Sequence, residues 1–144
     1  MINPKKETIE ATQAELLDEF EIFDDWMERY EHVIDLGKQL PEFPEKWKNE
    51  DNKIKGCQSQ VWLNMQMEGN ILHIDGDSDA SIVKGLVAIV LRVYSDREPE
   101  DILVAKPDFI KEIGFTDHLS STRSNGLHSM LRAIYMKAGE YTSP

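Results

Sequence analysis

The sequence predicts an α+β fold, a small antiparallel sheet covered by several helices, on three observations. Apolar side chains alternate strictly over residues 61–67, they recur at helical spacing on either side, and Gly or Pro punctuates the joins. The chain is 144 residues long, enough for one buried core, so residues 1–144 are read as a single domain.

The first helix is expected to start at Thr12. Thr12-Gln13-Ala14-Glu15 has capping-box form, with Leu16, Leu17 and Phe20 following at helical spacing. Residues 1–11 then form an acidic, flexible lead. Asp24 or Asp25 caps a second helix whose apolar face is Met27, Tyr30, Val33 and Ile34, and Gly37 ends it as a left-handed stop. Residues 40–55, with Pro41, Pro44 and Asn49-Glu50-Asp51-Asn52, carry no period and read as a long loop.

Val61, Leu63, Met65 and Met67 alternate with Trp62, Asn64 and Gln66, the pattern of a strand with one buried face. Glu68-Gly69-Asn70 turns the chain and residues 71–75 return, making a hairpin. Gly76-Asp77-Ser78-Asp79 reads as a turn and helix cap. The helix from Ala80 to Tyr94 is apolar on a wide face and is therefore placed centrally, with Lys84 and Arg92 reaching solvent. Pro99 and Pro107 mark two short helical pieces, and a last helix follows Ser121-Thr122-Arg123-Ser124 to about Gly139.

Composition excludes several functions. With 27 acidic and 16 basic residues the net charge is −11, which disfavours a nucleic acid or an anionic membrane as partner. Eleven acids against three bases lie between Met1 and Leu36, either a solvated helical face or a docking surface for a basic partner. No apolar run is long enough to cross a bilayer and no secretory leader is legible, so a cytoplasmic location is expected. One cysteine rules out an internal disulfide and a multi-cysteine metal cluster. His32, His73, His118 and His128 share no ligand spacing with one another or with Cys57, so no metal and no cofactor is expected.

Cys57 sits in Lys53-Ile54-Lys55-Gly56-Cys57-Gln58-Ser59-Gln60, just before the first strand. A lone cysteine is compatible with a small buried hydrophobe. Three features point instead to a working thiol: the segment is polar, Lys53 and Lys55 are local cations that favour thiolate, and Gly56 allows the loop to move.

Gly56-Cys57-Gln58-Ser59-Gln60-Val61-Trp62 resembles the SufE family of sulfur-acceptor proteins. Three further blocks resemble it in the same order: residues 36–41 (Leu-Gly-Lys-Gln-Leu-Pro), residues 76–86 from Gly76 to Leu86, and Arg123-Ser124-Asn125-Gly126-Leu127 with Met130, Arg132, Ala133 and Ile134. Residues 43–53 depart from the family pattern. The resemblance implies the fold shared with IscU-type scaffolds. It also implies an accessory to a pyridoxal-phosphate cysteine desulfurase of SufS type, a persulfide carrier of sulfurtransferase kind rather than an independent enzyme. Cys57 would receive sulfane sulfur and relay it to a SufBCD-like iron–sulfur cluster scaffold. Its neighbours Gly56, Gln58, Ser59 and Gln60 would form the loop and hinge, with Arg123, Asp79 and Lys55 as thiolate or partner contacts. Arg123 reads equally as a salt bridge locking the last helix, and Asp79 as a helix cap. A CsdE-like paralogue serving another desulfurase or acceptor, a regulatory module that carries no sulfur, and a redox-sensing thiol are the alternatives.

The chemistry needs only one sulfur. Persulfide transfer is thiol–disulfide exchange in form, whereas a cluster needs several ligands. A thiol of ordinary pKa is only ~3% thiolate at pH 7. Lowering the pKa to ~7 gains only about threefold once the loss of nucleophilicity is counted. Aligning two sulfurs in a docked complex is worth several orders of magnitude. Docking geometry is therefore expected to outweigh the lysines.

Overall fold

A computed structural model describes residues 3–142. Helices α1 (Ile9–Glu21) and α2 (Trp26–Lys38) lead into a long segment containing a short 3-10 turn at Glu45–Trp47. Strands β1 (Val61–Glu68) and β2 (Ile71–Ser78) form one antiparallel hairpin, Val61 facing Ser78 and Glu68 facing Ile71 across it. Helix α3 (Ser81–Tyr94), three short helices α4 (Pro99–Val104), α5 (Asp108–Ile113) and α6 (Phe115–His118), and the long α7 (Ser121–Glu140) complete the chain. The α+β class and the helix-covered antiparallel hairpin are as the sequence predicts.

Helix α3 is the pivot. Val83, Leu86, Val87, Ile89, Val90, Val93 and Tyr94 are all buried, and the helix packs against β2 on one side and α2 on another, touching α1 and α7 as well. Each such side chain removed from water contributes roughly 1.5–3 kcal/mol. Lys84 and Arg92 lie at its margin and pair with Asp77 (3.3 Å) and Glu19 (2.9 Å).

Several boundaries differ from the sequence expectation, each for a physical reason. Helix α1 begins three residues before Thr12, because Thr8 is its cap and accepts from Ala11 N–H at 3.0 Å. Thr12 is instead buried, and its hydroxyl accepts from the Arg97 guanidinium at 2.8 Å. The expected flexible lead is tied down as far as Lys5. Its ammonium donates to the carbonyls of Leu91, Arg92 and Ser95 at 2.7–3.0 Å, at the electron-rich C-terminal end of α3. Glu7 O receives a further hydrogen bond from buried Arg97. The lead is also not net acidic, since Glu7 and Glu10 are balanced by Lys5 and Lys6. Met1 and Ile2 lie outside the described residues.

Gly37 does not end α2. It lies inside the helix where α2 crosses α3, and a Cβ there would come within 2.7 Å of Gly85 N. The facing Gly85 is tighter still, with Val33 O at 2.1 Å from its hypothetical Cβ. The two glycines let the backbones touch. Asp25 caps α2, and Met27, expected on its apolar face, is 73% exposed, because the buried stripe of the helix runs through Val33 and Gly37 where it meets α3. Strand β2 runs on through Gly76-Asp77-Ser78, and α3 has no side-chain cap. Position 76 of the strand is glycine because a side chain there would meet Val87 Cγ1 at 2.7 Å and Leu63 Cδ2 at 2.8 Å.

Candidate functional site

The Cys57 segment is a loop closed at its base. Ile54 N–H donates to Val61 O at 2.8 Å, and Leu63 N–H to Asn52 O at 2.9 Å, so residues 52–54 run antiparallel to the free edge of β1. At the other end Gln60 N–H donates to Asp79 Oδ1 at 3.0 Å, Asp79 N–H returns to Gln60 O at 3.3 Å, and the Ser78 hydroxyl donates to the same carbonyl at 2.8 Å. Asp79 is therefore not the helix cap, which is Ala80. Asp79 fastens the exit of the loop to the end of β2.

Between these fixed ends the chain leans on α7. Gly56 has φ +89°, a left-handed geometry that side chains disfavour, and its hypothetical Cβ lies 2.7 Å from the Ser129 hydroxyl oxygen. Glycine is required there twice over. One turn nearer the start of α7, Cys57 Sγ makes a weak hydrogen bond to Gly126 O at 3.7 Å. A side chain at Gly126 would be in ordinary contact with that sulfur at 3.5 Å.

The thiol faces a small apolar cavity of about 20 Å³, walled by Val83 and Leu86 of α3 and by Leu127 and Met130 of α7, with Gln58, Ser59 and Arg123 at its mouth. That is space for about one water-sized body. Cys57 itself is half-buried, and this burial pushes its thiol above its ordinary pKa. The expected thiolate-favouring lysines are not at hand. Lys53 and Lys55 are exposed on the entry limb and line a different groove with Arg132, while desolvation alone sets the direction of the shift.

Arg123 is the third residue of α7, not a residue preceding it, because Ser120 caps the helix and accepts from Arg123 N–H at 3.3 Å. Its guanidinium is exposed at the cavity mouth and makes no salt bridge among the described residues, so it does not lock the helix. Gln58 and Gln60 are exposed and Ser59 is half-buried. Sequence reasoning named Gly126 and residues 76–86 only as blocks of the family resemblance, without placing them beside Cys57, and it missed Ser129.

Three of the four histidines are engaged away from Cys57, His118 stacking on Trp26 at 4.1 Å between ring centroids. His32 Nε2 lies 2.6 Å from Glu19 Oε1, and His73 bridges Asp96 (2.6 Å) and Asp75 (3.2 Å). No group of three or more metal-ligating side chains is assembled among the described residues. No helix there is long and apolar enough to cross a membrane.

The SufE family model, described as an Fe-S metabolism associated domain, matches residues 14–138. The chain belongs to the SufE family. An uncharacterized SufE-like protein of Rhizobium meliloti (strain 1021) is 45% identical over 129 residues, covering 86% of this chain and 92% of that one. A second, from Rhizobium etli, is 44% identical over 133 residues, with 89% and 90% covered. Among solved structures, the solution structure of a hypothetical protein from Thermus thermophilus superimposes with a TM-score of 0.74. It is 17% identical and covers 96% of this chain and 97% of that one, a likeness of fold. Membership associates this SufE-family protein with iron–sulfur metabolism.

Proposed function

We propose that this protein carries sulfur as a persulfide on Cys57. It takes the sulfur from a pyridoxal-phosphate cysteine desulfurase of SufS type, stimulates that enzyme by clearing it, and passes the sulfur to a SufBCD-like cluster scaffold. The observation that carries this reading is a lone thiol on a loop fastened at both ends but held in its middle by one weak hydrogen bond, over an apolar cavity sized for one more atom.

The chemistry balances without an added oxidant. Cys57 thiolate attacks the outer sulfur of the donor persulfide, a new Sγ–S bond forms, the donor's S–S bond breaks, and the donor cysteine leaves as thiolate. At rest the raised pKa disfavours the reactive thiolate of Cys57, and its half-buried place over the cavity limits the approach of oxidants and small thiols. Transfer then requires the segment from Lys55 to Ser59 to swing outward on docking, with Gly56 and the residues pinned at Gln60 as its hinges. A thiol kept reduced suits the cytoplasm. Gln58, Ser59 and Arg123 edge the opening through which sulfur would pass, Arg123 offering a positive charge to the persulfide anion.

Intact mass after incubation with the host's desulfurase and cysteine tests the reading. A reductant-labile gain of one sulfur that disappears in Cys57→Ser, with desulfurase binding retained, is the expected result. Full stimulation of the desulfurase by Cys57→Ser would reassign the protein as a regulatory module that carries nothing.

A further inference from the structure

Along α7, beyond the point where Gly56 meets Ser129, the entry limb of the Cys57 loop forms one wall of an open groove of about 350 Å³. Its floor is apolar, made by Leu63 and Met65 of β1 and Ala133 and Met136 of α7, and Met136 is 69% exposed. Its rim carries Lys53, Lys55 and Arg132 against one carboxylate, Asp51. In a chain of net charge −11 this is a local reversal of sign. None of the three cations makes a salt bridge among the described residues, so their charge is open to a partner.

We propose that this groove seats an acidic segment of the desulfurase, one that brings carboxylates to Lys53, Lys55 and Arg132 and an apolar side chain to the floor at Met136; this rests on the carrier reading above. Charge complementarity selects the occupant. Most of this surface repels an acidic segment, and a cationic rim around an apolar floor attracts one and desolvates its centre. The location fits a partner in sulfur exchange. Residues 53–55 wall the groove and Cys57 follows two residues later, so a protein that exchanges sulfur with Cys57 approaches beside it, and the desulfurase is the first to do so. An occupant pressing between Lys53 and Arg132 also bears on the Gly56–Ser129 contact, which places docking and release of the cysteine on the same limb.

Titration of the host's desulfurase with the full-length protein tests this, comparing wild type with the paired charge reversal Lys53→Glu/Arg132→Glu. A control pair, Lys106→Glu/Lys111→Glu, changes the net charge equally at exposed lysines that make no salt bridge among the described residues. All four side chains are exposed, so the fold is retained, as thermal melts will register. The groove pair is expected to weaken binding at least tenfold and the control less than twofold, and Met136→Ser, which removes part of the floor, at least threefold. Equal effects of the two pairs, or wild-type binding by Met136→Ser, overturn the proposal. The mass of Cys57 in the same mixtures separates the two readings. Sulfur gained with groove-independent binding refutes the groove alone, and groove-dependent binding without sulfur gain refutes the carrier alone.

Discussion

Replacing Gly126 by alanine should make the protein more stable and a poorer carrier at once. Gly126 lies inside α7, where glycine costs about 0.5–1 kcal/mol relative to alanine. The added methyl has ordinary room, since its nearest neighbours are Cys57 Sγ at 3.5 Å and Cys57 Cβ at 4.0 Å. No overlap offsets the gain, and for a chain of this size that is a rise in Tm of roughly 2–3 °C. The same methyl takes up space in the cavity of about 20 Å³ beside the thiol. If the outer sulfur of the persulfide rests there, it loses an apolar site worth about as much as one buried methylene, ~0.8 kcal/mol, or about fourfold in equilibrium occupancy. Calorimetry gives the first quantity. Intact mass at fixed desulfurase and cysteine gives the second as the ratio of sulfurated to free protein. A raised Tm with unchanged occupancy would show that the persulfide does not use the cavity, and a lowered Tm would refute the packing at Gly126.

Three further outcomes are expected. Gly85→Ala forces a Cβ to within 2.1 Å of Val33 O, a backbone atom that cannot step aside, so destabilisation of about 3 kcal/mol or more should appear as a lower urea midpoint. Gly56→Ala combines a φ of +89° with a 2.7 Å approach to the Ser129 hydroxyl oxygen; the loop should lift from α7 and Cys57 should alkylate several-fold faster with iodoacetamide, at little cost in Tm. In His73, burial disfavours the charged ring, but the hydrogen bond to Asp96 and the charge of Asp75 outweigh it and raise the pKa. A raised folded value means stability that is complete below about pH 6.5 and lost as pH climbs through the folded pKa. The Tm gap between wild type and His73→Gln should therefore be widest in acid and narrow above neutrality; a gap that widens with pH would reverse the assignment.

What was legible in the sequence is what short range determines. The alternation from Val61 to Met67 announces β1, and the wide apolar face from Val83 to Tyr94 announces the central helix. The misreadings share one cause, a residue type with two uses that only a distant partner distinguishes. Gly37 looks like a helix stop until Gly85 is set against it. Thr12 looks like a cap until Arg97, 85 residues on, takes its hydroxyl. Asp79 looks like a cap until Gln60 claims its carboxylate. At the site, the neighbourhood of Cys57 alone leaves a small buried hydrophobe open, and it is the resemblance over residues 56–62 that singles the thiol out. The cavity was not legible, because its walls come from α3 and α7, with Gly126 lying 69 residues beyond the cysteine.

The clasp of Lys5 on the carbonyls of Leu91, Arg92 and Ser95 has a practical bearing. It anchors the leading residues at one end of α3, while Val83 and Leu86 beside the thiol lie toward the other, roughly 10–15 Å away along the helix axis. A fluorophore or biotin placed just ahead of Lys5 would therefore sit at the end of α3 away from the cysteine. Molecules immobilised by that handle would present their reactive end to whatever flows past.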